Sequence, residues 1–280
     1  MPDPAYVVDT TVWRALVDEQ MGARDKEWLA APASEGGGSW LFKRPRSLGL
    51  PELGADLWAE YIACRVARGV SVPAAEVRLA VRGPHRGVIS RQVGGDLAHG
   101  NELLAARNPT YQAGEKGRVP GYDLASIEAV LEPYEGSEPG LTAYESFAGY
   151  LAFDALIGNT DRHHENWAVL RDERRLAPTY DHGASLGFNV PILRRADAAA
   201  AAAKARSRHF SRVDSLVDLA FVALDRASQG VRDLWLARMA GLDEESVHVA
   251  VAEVPSDWMS ESARTFVVDF VQANKRRLTP

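Results

Sequence analysis

The segment from residue 158 to residue 183 is the most informative part of the chain, and it reads GNTDRHHENWAVLRDERRLAPTYDHG. Asp161 and Asn166 form an Asp-x-x-x-x-Asn motif in it, and Asp181 and Gly183 form an Asp-x-Gly motif. Phosphoryl transfer from Mg-ATP requires a carboxylate beside the attacking hydroxyl, an oxygen ligand for magnesium, and a second carboxylate that joins the metal to the phosphates. Protein kinases carry these groups in two motifs of this spacing. The segment therefore has the residue types that this chemistry needs.

The residues around the two motifs predict how the motifs are presented. The apolar runs 167–170 and 176–180 lie on either side of the polar turn 171–174 and indicate a small strand pair. The segment 141–157 is apolar over four turns and indicates a buried helix. We therefore expect the three oxygen-bearing side chains on one platform that consists of a loop and a hairpin.

The rest of the chain divides into a sheet-rich part and a helical part. Strands or helices are predicted at 28–31, 39–43, 54–69, 75–81 and 87–93, of which 54–69 is helical and the first two runs form a hairpin. The region 194–277 has helical spacing almost throughout, and 108–121 has the composition of a long loop. These patterns predict an α+β fold with a small lobe at 1–93 and a larger helical lobe at 94–280.

A cation for the phosphates is available on the predicted hairpin. Alternation in a strand places Leu41 and Lys43 on one face, so Lys43 can project into the cleft between the lobes. Glu60 on the following helix can pair with Lys43 and hold it in position. The alternative is that Lys43 is a solvated lysine at a strand end and that Glu60 is an ordinary exposed helix residue.

A turn of small residues precedes the first strand of the hairpin. In Gly22-Ala23-Arg24-Asp25-Lys26 the small side chains allow backbone N–H groups to approach phosphate oxygens, and Lys26 adds positive charge. The Gly36–Gly38 run is interpreted as the tip of the hairpin, with a second phosphate cover as the alternative.

A transition-metal site is a second interpretation of the histidines near the motifs. His163, His164 and His182 lie close in sequence to the two aspartates, and imidazole binds zinc or iron. The chain contains no His-Glu-x-x-His motif and no cysteine pair, which argues against this interpretation. We expect His163 to hydrogen-bond the backbone of its own loop and His164 to be exposed.

Composition excludes several classes of protein. The 280 residues are 46% hydrophobic and 25% charged, which is typical of a soluble globular protein. No apolar run approaches the ~20 residues of a membrane span, the first ten residues do not resemble a secretory signal, and Cys64 is the only cysteine. The net charge of −6 argues against broad nucleic-acid binding. We therefore expect a cytoplasmic location.

These residues, taken in chain order, resemble the HipA-like serine/threonine kinases. The resemblance covers roughly residues 18–187 and rests on Gly22–Lys26, Lys43, Glu60-Tyr61, the segment 158–166 and Tyr180-Asp181. The Asp-Arg-His-x-x-Asn motif also resembles that of phosphatidylinositol kinases. The resemblance implies a two-lobed protein-kinase-like fold that uses ATP and Mg²⁺.

The resemblance also implies a role for each matched residue. Asp161 would be the catalytic base, with His163 shaping its loop, and Asn166 and Asp181 would bind Mg²⁺. Lys43 would contact the α- and β-phosphates with the help of Glu60. The phosphate loop would consist of Gly22, Ala23 and Lys26 with their neighbours, and the backbone of the hinge from Ser90 to Val93, which includes Gln92, would contact adenine.

Two departures from the family concern regulation and partners. The toxins of the family carry a substantial N-terminal subdomain before the phosphate loop, whereas about twenty residues precede Gly22 here, so an antitoxin partner is not expected. Residues 18–26 contain no Ser or Thr, so the inhibitory autophosphorylation of those toxins is not expected either. The predicted acceptor is a protein Ser or Thr hydroxyl. The alternatives are a lipid head group, a small metabolite, or a non-catalytic nucleotide-binding scaffold.

Overall fold

A computed structural model describes residues 7–19, 26–46, 52–114, 117–191, 194, 196–210 and 213–279 of the chain. Gly22 and Ala23 of the predicted phosphate loop lie outside these residues, whereas Lys26 lies within them.

The first part of the chain forms a six-stranded sheet. Its strands are β1 (Val8–Asp9), β2 (Arg14–Glu19), β3 (Lys26–Ala30), β4 (Ser39–Lys43), β5 (Val77–Arg82) and β6 (His85–Arg91). Their order in the sheet is β1-β5-β6-β4-β3-β2. β1 is parallel to β5, and every other neighbouring pair is antiparallel.

The predicted hairpin is formed by β3 and β4. Its register pairs Lys26 with Lys43, and the turn contains three glycines with positive φ, Gly36, Gly37 and Gly38. This backbone conformation is strained for a residue with a Cβ, which explains why glycines occupy these three positions at the hairpin tip. β3 begins at residue 26 rather than 28 because its first residues pair with β2, which the sequence analysis did not predict.

Helix α1 (Ala55–Gly69) packs between the sheet and the later helices. It is buried on nearly every side, and its contacts include β5, β6 and a C-terminal helix, α8 (Glu244–Ala252). The other face of the sheet has a separate small core around Trp13, Trp40 and Phe42. Because α1 is enclosed, a charged side chain on its buried faces depends on a partner inside the protein.

The second part of the chain is helical with one small sheet. It contains α2 (Gly100–Arg107), α3 (Leu124–Leu131), α4 (Ala143–Ile157), α5 (Ala198–Lys204), α6 (Leu216–Leu224), α7 (Gln229–Ala240) and α9 (Glu261–Leu278) besides α8. The small sheet is formed by β7 (Leu97–His99), β8 (Ala168–Leu170) and β9 (Arg175–Leu176), with β8 in the middle.

The predicted strand pair after the first motif is confirmed, but its second strand is shorter than expected. β9 ends at Leu176 rather than at residue 180, and Pro178, which follows, has no N–H to donate to a ladder. Thr179 instead bridges to Ala74 near the start of β5, so the second motif is tied to the six-stranded sheet.

Helix α4 is the central helix of the second part and ends at the first motif. Thr142 and Glu145 form a capping box at its start, and all of its residues except Glu145 are buried. Gly158 ends it with φ +66°, and a Cβ there would lie 2.5 Å from the Phe270 ring. Glycine is therefore required at the point where the chain leaves α4 for the motif.

These elements form the α+β fold that the sequence predicts. The division into units at 1–93 and 94–280 stays a prediction. Among the helices described, none is both long enough and apolar enough to span a membrane.

Candidate active site

The loop that carries the first motif is held by a buried ion pair. The Arg162 side chain donates from Nε to Asp154 Oδ2 at 2.8 Å and from Nη2 to Oδ1 at 2.7 Å. Both side chains are 2% exposed. Arg162 Nη1 also donates to the Asn166 carbonyl at 2.6 Å, and Asn159 Nδ2 donates to Asp154 at 2.8 Å. One carboxylate at the end of α4 therefore anchors both ends of the loop.

Asp161 and Asn166 are fixed relative to each other by this loop. The Asn166 side-chain nitrogen donates to the Asp161 carbonyl at 2.8 Å, which directs the amide oxygen away from that carbonyl. Asp161 N donates to Asn159 Oδ1 at 3.2 Å. The carboxylate of Asp161 and the amide of Asn166 thus both reach the same cavity.

His209 contacts the Asp161 carboxylate, and it was not among the predicted site residues. Its Nε2 lies 2.8 Å from Asp161 Oδ1 and its Nδ1 lies 2.8 Å from the Gly117 carbonyl. A carboxylate and a carbonyl both accept hydrogen bonds, so both ring nitrogens of His209 face acceptors. His209 comes 48 residues after Asp161, and no motif or spacing connects the two in the sequence.

The environment of Asp161 favours the ionised carboxylate. Burial raises the pKa of Asp161, but the hydrogen bond from His209 and the neighbouring positive charges have the larger combined effect. The pKa therefore lies below its ordinary value, and Asp161 is a carboxylate at neutral pH.

Lys43 is buried between two carboxylates. Its Nζ lies 2.5 Å from Glu60 Oε1 and 3.0 Å from Asp181 Oδ1. Lys43 is 3% exposed and Glu60 is fully buried. The alternative of a solvated lysine and an exposed glutamate is therefore wrong, because α1 encloses Glu60 and the strand directs Lys43 inward.

Asp181 has an unusual backbone for a residue with a side chain. Its φ is +59°, in the left-handed region that few residues other than glycine adopt. The chain is held on both sides of it, because the Tyr180 hydroxyl donates to the Glu165 carbonyl at 3.0 Å and Thr179 bonds His182 Nε2 at 2.9 Å. This arrangement directs the carboxylate of Asp181 to Lys43.

Most of the predicted site residues line one cavity of about 510 Å³. Of those that the structure describes, all except Glu60 line it, namely Lys26, Lys43, Ser90, Gln92, Asp161, His163, Asn166 and Asp181. Glu60 lies behind Lys43 and reaches the cavity only through it. The cavity also contains Arg208 and His209, which were not predicted.

Part of the predicted hinge is paired with neighbouring strands through its backbone. Ser90 pairs with Leu41 in β4, and the side chain of Ser90 faces the cavity. The N–H groups of Arg91 and Gln92 donate to Glu76 and Ser39 carbonyls at 2.8 and 3.0 Å. The N–H groups of residues 91 and 92 are therefore engaged within the sheet, and the adenine contact of the hinge stays a prediction.

The three histidines of the motifs have hydrogen-bond partners within the protein. His163 Nδ1 accepts from the Glu165 N–H at 3.2 Å, as expected for a residue that shapes its own loop. The expectation that His164 is exposed is wrong, because its ring is buried against Tyr111, whose hydroxyl lies 2.6 Å away. His182 is buried as well, and burial lowers its pKa well below the ordinary value. Within the described residues, no three His, Cys, Asp or Glu side chains are placed to hold a metal ion.

Comparison with protein families identifies the family of the chain. A family model described as the HipA-like C-terminal domain matches residues 20–254. The chain belongs to this family. The match includes every predicted site residue of this HipA-like chain, from Gly22 of the predicted phosphate loop to Asp181.

A curated relative of the HipA-like chain carries a kinase name. The Sinorhizobium fredii (strain NBRC 101917 / NGR234) protein named "Putative kinase Y4dM" is 29% identical over 194 residues. The aligned region is 61% of this chain and 42% of that protein. The chain therefore matches about two fifths of the length of this relative.

Solved structures show the fold of the HipA-like chain. The Helicobacter pylori proinflammatory kinase CtkA matches with a TM-score of 0.71 at 17% identity, over 97% of this chain and 95% of that one. A chain of the Shewanella oneidensis MR-1 complex of HipA, HipB and operator DNA matches with a TM-score of 0.56 at 13% identity. That match covers 95% of this chain and 66% of the other. The predicted kinase-like fold is confirmed, whereas the expected absence of an antitoxin partner stays a prediction.

Proposed function

We propose that this protein is a kinase that transfers the γ-phosphoryl group of Mg-ATP to a Ser or Thr hydroxyl of another protein. The observation that carries the proposal is the convergence of Lys43, Asp161, Asn166 and Asp181 on one cavity. Lys43 and Asp181 are separated by 138 residues, yet their charged groups are 3.0 Å apart. Phosphoryl transfer depends on positioning and charge stabilisation, which are the properties that such a cluster provides.

Lys43 is the residue that would bind the α- and β-phosphates. Its ammonium group is held by Glu60, which is buried on α1 and therefore keeps the side chain extended toward the cavity. Lys26 pairs with Lys43 across the hairpin and lines the same cavity, which adds positive charge on the phosphate side. Gly22 and Ala23 would complete the phosphate loop.

Asn166 and Asp181 would hold Mg²⁺. Each offers a side-chain oxygen to the cavity, and magnesium typically binds one or two protein oxygens together with phosphate oxygens and water. The described residues thus fit magnesium better than a metal that needs a full cage of protein ligands. When bound, the ion would neutralise charge on the phosphates.

Asp161 would orient the attacking hydroxyl and accept its proton. The carboxylate is ionised for this role, and the hydrogen bond from His209 leaves Oδ1 engaged and Oδ2 as the oxygen available to the acceptor. We assign His209 as a positioning residue, because its Nε2 bonds the carboxylate of the proposed base. His163 would shape the loop through its bond to the Glu165 N–H.

The proposal is tested by phosphoryl transfer from radiolabelled ATP, with ATP-induced thermal stabilisation measured in parallel. We expect Asp161→Asn to lower transfer by about 10²-fold or more while retaining the thermal shift, because the base does not bind the phosphates. Asp181→Ala should instead abolish most of the Mg-dependent thermal shift. Asp172→Asn, which changes an exposed aspartate in the β8–β9 turn, is the matched control and should behave as the wild type.

The possible outcomes separate the candidate functions. Wild-type turnover in both variants would contradict the assigned roles. Transfer to a lipid head group or a metabolite but not to protein would replace the acceptor class, and ATP binding without any transfer would make the chain a nucleotide-binding scaffold.

A further inference from the structure

We propose that the acceptor protein docks through an acidic segment in a second cavity that adjoins the catalytic loop. This inference rests on the proposed function and adds the chemical class of the acceptor. The cavity is about 580 Å³ and lies between the start of the motif loop, the segment 187–191 and α5. It is lined by Thr160, which precedes the proposed base directly.

The second cavity adjoins the first at a single arginine. Arg208 lines both cavities, and its positive charge contributes to the low pKa of Asp161. The Arg208 N–H donates to the Thr160 carbonyl at 3.0 Å, and the next residue, His209, bonds the Asp161 carboxylate. Residues 208 and 209 in the wall between the cavities are therefore joined to the loop that carries Asp161.

The charge of the second cavity is strongly positive. Four cationic side chains line it, Arg194, Lys204, Arg206 and Arg208, and all four are exposed. Among the described residues that line it, the one carboxylate belongs to Asp197, which accepts from Ala200 N at 2.7 Å and caps α5. No salt bridge to any of the four cations is formed within the described part of the chain.

This local charge contrasts with the rest of the molecule. The whole chain has a net charge of −6, so a cluster of four cations with one carboxylate is a local reversal of sign. Exposed cations that lack carboxylate partners attract an anionic ligand and direct its approach. The ligand that fits this cavity carries several negative charges.

The floor of the same cavity is apolar. Phe188, Val190 and Phe270 contribute to it, together with the alanine face of α5. An acidic polypeptide segment can place an apolar side chain on this floor and its carboxylates at the cationic rim. A nucleic acid would require an extended basic surface, which the net charge of the chain does not favour. The occupant to which the structure points is therefore an acidic peptide segment beside the acceptor hydroxyl.

The test measures peptide binding by fluorescence anisotropy, independently of turnover. The probes are labelled peptides with a Leu-Ser-Leu centre, flanked on each side by two Glu, two Gln or two Lys residues. The full chain at low salt should bind the Glu probe at least about tenfold tighter than the Lys probe. This preference should diminish at about 1 M salt, because the cations are exposed and are screened.

Charge-reversal variants of the cationic residues test whether the second cavity is the binding site. Arg194→Glu with Arg206→Glu should weaken binding of the Glu probe at least about tenfold and strengthen binding of the Lys probe. Lys204→Glu with Arg206→Glu is a second, independent pair with the same expectation. Arg276→Glu on α9 is the matched control, because this arginine is exposed and lies outside the cavity. A thermal melt of each variant reports whether it is folded.

Equal binding of the Glu and Lys probes, or a Glu preference that both charge reversals leave unchanged, overturns the inference. The inference is also overturned if an RNA oligonucleotide or anionic vesicles displace the Glu probe at a lower concentration of negative charge than the unlabelled Glu peptide requires. ATP-induced thermal stabilisation is recorded in the same samples. If ATP does not stabilise the wild type, the proposed function is contradicted. If ATP stabilises the wild type but the Glu and Lys probes bind equally, only the docking site is contradicted.

Discussion

Replacement of His209 by phenylalanine tests whether the imidazole positions the proposed base. The ring is buried, and its Nε2 lies 2.8 Å from Asp161 Oδ1. Phenylalanine retains a planar ring of similar size and removes both ring nitrogens. The Asp161 carboxylate would remain, but no donor would hold it at the angle that the acceptor hydroxyl requires.

The magnitude follows from the type of bond that is lost. Hydrogen bonds to charged groups contribute about 1.5–3 kcal/mol, and the pair is largely shielded from water. A loss of about 2 kcal/mol in the transition state corresponds to roughly 30-fold in kcat, because 1.36 kcal/mol is tenfold. The KM for ATP should change little, since His209 does not contact Lys43 or the proposed metal ligands.

The assay is steady-state transfer from radiolabelled ATP with ATP varied, alongside a thermal melt. His209→Gln is the informative companion, because its amide nitrogen can donate to Asp161 and should recover part of kcat. His248→Phe on α8 is the matched control, since that histidine is exposed and pairs with Glu244 one turn earlier in the helix. An unchanged kcat in His209→Phe, or equal losses in the Gln and Phe variants at equal stability, would refute the positioning role.

Two further predictions concern the charges around the motif loop. Asp154→Asn should lower the free energy of unfolding by about 3 kcal/mol, measured by urea denaturation, because it leaves the buried Arg162 without a charged partner; a loss no larger than that of Asp172→Asn would contradict this. The pKa of Asp161 is low, so kcat should have no acidic limb from this group between pH 5 and 8. In His209→Phe burial still raises this pKa while the hydrogen bond that lowers it is gone, so kcat should begin to fall at a higher pH than in the wild type; identical pH profiles would contradict the assignment.

Much of the fold was predictable because its signals are local. The hairpin was predicted from two short apolar runs on either side of a glycine-rich turn. Helices α1 and α4 were predicted at 54–69 and 141–157 from helical spacing, and each has fifteen residues in the structure. The same local pattern placed Lys43 on the cavity face of its strand. The second strand of the pair at 176–180 was predicted too long, because the end of β9 depends on the contact that Thr179 makes with Ala74 in another part of the fold.

The sequence alone determined which chemical groups are available and in what order they occur. The spacing of Asp161 and Asn166, and the Asp-x-Gly that follows, are properties of one short segment and can be recognised without a fold. The tertiary structure alone decided which distant groups meet them. Lys43 bonds a carboxylate 138 residues away, and His209 bonds one 48 residues away. The cationic cavity likewise combines residues from the end of α4, the segment after Asp181 and α5. Such contacts depend on how helices and sheet pack against one another, and no period or spacing in a linear chain encodes that packing.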